Sequence, residues 1–338
     1  MENNGGGRAK STPAQFQERR GGLAMYRSIL VPLDGSQFAE QALPLALSIA
    51  NRAGATLEAV QVHVLYAFQE PACSWSPFDP TEDALFKEHE QAYLDAVVRR
   101  LEKTASVPVT SALMGGLIVD GILERARTKP ADLIVMTTHG RGRMSRFWLG
   151  SVAVELVRHG PAPILLVRPQ ENSTDPPPEP TFRRILIPLD GSELAEQVLE
   201  PAIALGSLTD AEYTLIRAVE LSLFPDGFRV AAERSAVEQP RLEKRRVEAQ
   251  DYLDGVAERL RAKALHVRTQ VVVGESTAAA VLDAVRSQDI DVVAVSTRGR
   301  SGFKRLLLGS VADKIVRGTV TPVLVHRPVT NRETEPNR

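Results

Sequence analysis

Tyr26-Arg-Ser-Ile-Leu-Val-Pro-Leu-Asp34-Gly-Ser36 returns later in the same chain as Phe182-Arg-Arg-Ile-Leu-Ile-Pro-Leu-Asp190-Gly-Ser192. Each stretch is a short run rich in branched aliphatic residues, which favours a strand, and stops on a turn-forming Asp-Gly-Ser. The two lie 156 residues apart, from 34 to 190. A second pair, Leu149-Gly-Ser-Val-Ala153 and Leu308-Gly-Ser-Val-Ala312, lies 159 apart. Such a small drift over a whole repeat describes two copies of one domain, the second with a short insertion. A period of this length is a tandem domain rather than a solenoid. The length of 338 residues agrees with two domains, at about 150 residues each.

The boundaries follow from composition. Residues 169–181 hold five prolines, three acids and no apolar residue. Such a stretch buries no core and reads as an extended linker. The expected division is a disordered tail over 1–24, a domain over 25–169, a linker over 170–181, a second domain over 182–328 and a tail over 329–338. Inside the first domain, strands are expected at 27–33, 57–65, 107–114, 133–137 and 164–167. The near-continuous apolar run Leu133-Ile-Val-Met136 suits a strand buried on both faces. Between strands lie helical patterns. Leu94, Val97, Val98 and Leu101 form one apolar stripe, repeated by Leu253, Val256, Ala257 and Leu260. The alternation predicts an α/β class, with an open five-stranded parallel sheet in each copy and helices on both of its faces. Pro44 and Pro201 fall inside the first helix of each copy, which predicts a kink or a late start there.

Composition excludes several classes of function. Lys and Arg number 41 and Asp and Glu 42, for a net charge of −1. That balance argues against a general nucleic-acid binder or a polybasic membrane-surface protein. Cys73 is the one cysteine, so no intrachain disulfide forms, and a lone thiol fits a reducing cytoplasm. No apolar run reaches the roughly 18 residues of a membrane span. The polar, Gly-rich residues 1–22 do not read as a signal peptide.

The most informative loop follows the fourth strand. It reads Thr137-Thr-His-Gly140-Arg141 and closes on Gly150-Ser151; its copy reads Ser296-Thr-Arg-Gly299-Arg300 and closes on Gly309-Ser310. Residues 139–151 carry three Arg and no acid, and 298–310 carry three Arg, one Lys and no acid. Ligands of open α/β sheets bind beyond the carboxyl ends of the strands. A Gly-Ser pair opening a helix offers free N–H groups and the positive end of the helix dipole, which suit phosphate. Local structure explains the same glycines in a single copy, Gly140 as a turn and Gly150-Ser151 as a helix cap, but the acid-free basic loop and the Asp at the end of the first strand favour an anion site. Asp34 and Asp190 end the first strands at the same sheet edge. A carboxylate there accepts from an adenine amino group or a ribose hydroxyl, or else closes an Asx-turn or caps the next helix.

Other motifs fail. No GxxxxGK[ST] is present. Gly140-Arg-Gly142 begins a GxGxxG that Ser145 breaks. The six histidines show no zinc spacing, and Arg298 replaces His139 in the copy, so His139 reads as a loop residue rather than a general base. No nucleophile elbow is visible. Cys73, near Trp75 and Phe78, reads as a half-buried thiol.

Both copies resemble universal stress protein domains. The resemblance rests on Val-Pro-Leu-Asp-Gly-Ser and Ile-Pro-Leu-Asp-Gly-Ser, on Leu133-Ile-Val-Met-Thr-Thr-His-Gly-Arg141, on Leu-Gly-Ser-Val-Ala, and on the endings Pro161-Ala-Pro-Ile-Leu-Leu-Val167 and Thr321-Pro-Val-Leu-Val325. It implies a Rossmann-like fold of the adenine-nucleotide hydrolase-like type that pairs through its last strand. Ile164–Val167 would then pair with Val323–His326, making the chain a built-in pseudo-dimer. ATP-binding members carry Gly-x2-Gly-x9-Gly-Ser/Thr. Here the second Gly maps to Gly140 or Gly299, each followed by an arginine, Arg141 or Arg300. The closing pair maps to Gly150-Ser151 with Val152, or Gly309-Ser310 with Val311. Thr137 and Ser296, small residues able to donate a hydrogen bond, stand in place of the first Gly. The resemblance also implies that adenine rests near Pro32, Leu33 and Asp34 with backbone contact at Val64. In the second copy the positions are Pro188, Leu189, Asp190 and Ala218. Gly115 and Gly274 would border the ribose.

The resemblance implies a cytoplasmic stress or signalling protein that holds ATP, with or without Mg2+, in each half and uses conformation or partner binding as its output. Its partners would be the adenine nucleotide and, within the chain, the other half. A homodimer through exposed edges stays open, and no nucleic acid or membrane is expected. A nucleotide-free interaction protein of the same fold is the alternative, supported by Thr137 and Ser296. A slow ATPase ranks last, since neither loop offers a general base.

Overall fold

The computed structural model describes residues 26–65, 79–139, 149–169, 182–220, 231–274, 276–297 and 308–329. Gly140, Arg141, Gly299, Arg300 and Cys73 lie outside the described residues, as do the linker and, apart from Val329, both tails.

The first half contains β1 (Ser28–Pro32), β2 (Thr56–His63), β3 (Val109–Gly115), β4 (Leu133–Thr137) and β5 (Ile164–Val167). Its helices are the short α1 (Gln37–Glu40), α2 (Leu43–Ala53), α3 (Pro80–Glu102), α4 (Ile118–Thr128) and α5 (Ser151–His159). The second half repeats the order with β6 (Arg184–Pro188), β7 (Glu212–Glu220), β8 (His266–Gly274), β9 (Val292–Ser296) and β10 (Val323–His326). Its helices are α6 (Glu193–Glu196), α7 (Leu199–Gly206), α8 (Ala231–Arg261), α9 (Thr277–Ser287) and α10 (Ser310–Gly318).

Within each half all strands are parallel. The two five-stranded sheets do not stay separate. Leu166 pairs Val323, Leu165 pairs Leu324 and Ile164 pairs Val325, antiparallel. This junction fuses the halves into one ten-stranded sheet, ordered β3-β2-β1-β4-β5-β10-β9-β6-β7-β8. The expected pairing of the last strands is therefore present, and it covers the inner edge that each sheet would otherwise expose.

Helices cover both faces. Ile29, Leu57, Leu133 and Leu165 pack under α2 and α3, while Leu30, Val60 and Ile134 pack under α4 and α5. The stripe Leu94, Val97 and Leu101 is buried on α3, and Leu253, Val256, Ala257 and Leu260 are buried on α8. The prolines break the first helix outright. Pro44 sits in the first turn of α2, and Pro201 in the first turn of α7. The first N–H groups of a helix have no intrahelical acceptor, so a proline there costs no bond. Tyr26 also crosses between halves, donating from Oη to the Pro201 carbonyl at 2.8 Å.

Candidate functional site

The chain leaves β1 and β6 through the same turn. Asp34 Oδ1 accepts from Ser36 N at 2.9 Å and Ser36 Oγ at 2.6 Å. Asp190 Oδ1 does the same for Ser192, at 2.9 and 2.7 Å. Gly35 and Gly191 have φ of 79° and 89°, the left-handed region in which glycine is unstrained. Ser36 and Ser192 then cap α1 and α6, accepting from Ala39 N at 3.1 Å and Ala195 N at 3.2 Å. Asp34 and Asp190 are thus Asx-turn residues in fact, and the caps are the serines. Asp190 has a second role in position, since it also walls a cavity.

The last helix of each half begins against the end of the fourth strand. Gly150 N donates to Thr138 O at 2.8 Å, and Gly309 N to Thr297 O at 2.9 Å. A Cβ added at Gly150 would lie 3.1 Å from Thr138 O, and one at Gly309 3.2 Å from Thr297 O. Glycine is therefore what lets the helix start close to the strand. Neither α5 nor α10 has a side-chain N-cap. Because the cap residues are glycines, no cap side chain accepts from the first N–H groups, which carry the positive end of the dipole.

Thr137 and Ser296 turn their hydroxyls inward. Thr137 Oγ1 donates to His139 O at 2.8 Å, and Ser296 Oγ to Leu194 O at 3.0 Å. Both donors are spent on the chain's own backbone. Beside Thr137, burial together with the charges of Arg168 and Arg317 holds the His139 imidazole below its ordinary pKa.

In the second half these elements enclose a cavity of about 520 Å³. Pro188, Leu189, Asp190 and Ala218 line one part of it, and Ser296, Gly309, Ser310 and Val311 another. Eight residues singled out in the sequence therefore meet at one place. Gly274 ends β8 but is not among the lining residues. A Cβ on it would meet only Ala280 Cβ, at 3.8 Å, and one on Gly115 would meet nothing within 4 Å. Neither glycine is demanded by close packing.

The sequence reading missed Glu220, Arg245, Glu248 and Thr277, which also line the cavity, as does Arg217. It also misaligned one position. Ser28 pairs Thr56 and Arg184 pairs Glu212, so the two halves share an offset of 156 across their second strands. Val64 therefore corresponds to Glu220, and Ala218 to Val62. Ala218 lines the cavity, but it is not the counterpart of Val64. A strand-end signal was available: Glu220 is the last residue of β7, at the edge where ligands of such sheets bind.

The first half places Pro32, Leu33 and Asp34 at the end of β1 and Gly150, Ser151 and Val152 at the start of α5, in the same arrangement. Val64 follows β2. Next to it the halves differ. His63 is buried, with Nδ1 2.7 Å from Glu90 Oε2 and Nε2 2.9 Å from Asp83 Oδ1. Lys87 Nζ lies 2.9 Å from Asp83 Oδ2. The Lys87 and His63 contacts hold the Asp83 carboxyl below the usual range. Val219 takes the place of His63 in the second half. Among the described residues no cluster of His, Cys, Asp or Glu forms a metal-binding group, and no helix is long and apolar enough to cross a membrane.

Comparison with known proteins agrees with this architecture. The chain is 27% identical over 308 residues to universal stress protein Rv2623 of Mycobacterium tuberculosis, covering 88% of this chain and 96% of that one. It is 33% identical over 151 residues to universal stress protein MJ0531 of Methanocaldococcus jannaschii, covering 44% and 86%. In fold it matches the crystal structure of a universal stress protein from Archaeoglobus fulgidus, with a TM-score of 0.62 at 18% identity, over 90% of this chain and 97% of that one. The model of the Universal stress protein family matches residues 25–168 and again 181–327. This chain belongs to the universal stress protein family, as two of its domains in tandem.

Proposed function

We propose that the chain binds an adenine nucleotide, ATP with or without Mg2+, in each half, and that occupancy sets the conformation or partner binding through which it acts in the stress response. The observation that carries this is the second-half cavity. One wall is the end of β6 with Asp190, and another is the uncapped N-terminus of α10 at Gly309 and Ser310. Its volume of about 520 Å³ falls in the range of small-molecule sites. An uncapped helix start suits the phosphates, and the β6 end offers an apolar rest in Pro188 and Leu189 for a base. The first half repeats the Asx-turn and the glycine-opened helix. A cytoplasmic setting fits the single cysteine.

A nucleotide-free role is the second reading. It is favoured by Thr137 and Ser296, whose hydroxyls are committed to the backbone. Calorimetric titration with Mg-ATP separates the two, with about two sites per chain expected. A ligand at 100 times its dissociation constant also adds about 2.7 kcal/mol of stability, readable as a shift in melting temperature. Neither heat nor shift at millimolar Mg-ATP, with folded protein, overturns the nucleotide reading.

A further inference from the structure

The second-half cavity has two chemically different ends. At one, α10 presents its uncapped N-terminus at Gly309 and Ser310. At the other, β7 ends on Glu220, and α8 adds Arg245 and Glu248 to the wall. Glu220 is fixed in place. Its Oε1 accepts from Thr277 N at 3.2 Å and Thr277 Oγ1 at 2.8 Å, at the start of α9. Those two bonds keep its carboxyl below the usual carboxylate range, with Lys314 and Arg245 adding to the effect. Arg245 is tied to the backbone, donating from Nη2 to the Glu220 carbonyl. Among the described residues both hydrogen bonds to the Glu220 side chain fall on Oε1, and Glu220 itself lines the cavity.

An ionised carboxylate accepts hydrogen bonds and donates none, and it repels phosphate. A ligand whose phosphates lie at α10 must turn a donor-bearing part toward β7. In a nucleotide the ribose diol presents two hydroxyls to a single carboxylate. Dinucleotide-binding folds, by analogy of place, use an acid after the second strand to hold the ribose 2′-hydroxyl. We propose that Glu220 is the specificity-determining residue of the second half, accepting from the ribose hydroxyls and so selecting ribonucleotides over 2′-deoxynucleotides. This inference rests on the nucleotide reading above. The first half lacks the device. Val64 stands at the Glu220 position, and Ile118, the first residue of α4, stands where α9 begins with Thr277.

The test uses the full chain carrying Ser151→Glu, which puts a carboxylate at the phosphate end of the first half and leaves the second to be read alone. ATP and 2′-deoxy-ATP are titrated calorimetrically. ATP is expected to bind about tenfold more tightly, the loss expected for one hydrogen bond to a charged group. Glu220→Val, which installs the first-half residue, should bring the ratio to about one by weakening ATP more than 2′-deoxy-ATP, which loses only the bond from its 3′-hydroxyl. Glu220→Gln keeps an acceptor for Thr277 and should lie between. It is the variant to read if the melting curve of Glu220→Val shows a loss of fold. Equal affinities for the two nucleotides with Glu220 present overturn the inference and leave the nucleotide reading standing. Absence of heat from both overturns the two together.

Discussion

Arg168, the residue after β5 in the first half, donates from Nη1 to the carbonyl of Thr319 in the second half at 3.1 Å, and to that of Arg317 at the same distance. These carbonyls belong to the C-terminal end of α10, the helix whose N-terminus walls the cavity. A cation there complements the negative end of the helix dipole. The first half thus supplies the C-terminal cap of the second half's last helix.

Replacing Arg168 by Ala removes both bonds and the dipole contact. Stability is expected to fall by about 1–2 kcal/mol, since the group is only partly buried and water replaces some of the loss. Urea unfolding of the two chains measures this as a lower midpoint at unchanged slope. An unchanged midpoint would show that the cross-half cap contributes nothing.

Gly309→Ala tests the close approach of helix to strand. The new Cβ would stand 3.2 Å from Thr297 O, so the start of α10 must shift by a few tenths of an ångström. Misplaced N–H groups lose most of their value to an anion. Affinity for Mg-ATP in the second half should fall about tenfold or more, while stability changes by about 1 kcal/mol. Affinity that survives the substitution separates the glycine's packing role from ligand binding.

Much of this was legible in the sequence because the signals are local. The stripe Leu94, Val97, Val98 and Leu101 and the run Leu133-Ile-Val-Met136 each declare their element, and all but the half-buried Val98 are buried as read. The Asp-Gly-Ser turn was legible as a turn, but Asx-turn and ligand group look alike along the chain. What was not legible has a physical cause. The repeat offset is 156 at its start and 159 near its end, and nothing in the letters says where the extra residues enter. The structure keeps 156 through the second strands, which moves Glu220 opposite Val64. Arg245 and Glu248 sit on a charged stretch of α8, and only folding brings that stretch to the cavity.

Glu58 provides a pH test of an internal ion cluster. It is 3% exposed, with Arg125 Nε on Oε2 at 2.9 Å, Arg125 Nη2 on Oε1 at 2.6 Å and Lys129 Nζ on Oε1 at 2.9 Å. Burial pushes the carboxyl up, but the bonds and charges of Arg125 and Lys129 outweigh burial and leave it below its ordinary value. A group lowered on folding contributes stability that is fully present above its unfolded pKa and is lost as pH falls through its folded one. Glu58→Gln should therefore cost about 1–2 kcal/mol at neutral pH, a figure reduced because both cations are partly exposed. The gap between the two chains should shrink as pH falls below about 4.5, the ordinary glutamate value. A gap that stays constant down to acid would show that Glu58 does not carry the cluster by its charge.

The junction between halves rests on a short ladder, so its side chains matter individually. Leu165 and Leu324 are direct cross-strand partners, and both are fully buried. Each carries its helices' contacts as well as the other's. Leu165→Ala and Leu324→Ala should each cost about 2–5 kcal/mol, through lost burial and the cavity left behind. Because directly opposite residues of an antiparallel pair have neighbouring Cβ atoms, removing the second should cost less than removing it alone, with a coupling of about 0.5–3 kcal/mol. A double-mutant cycle by urea unfolding reads this directly. Strict additivity would mean that the two leucines pack into their own halves and that the ladder joins the sheets by backbone alone.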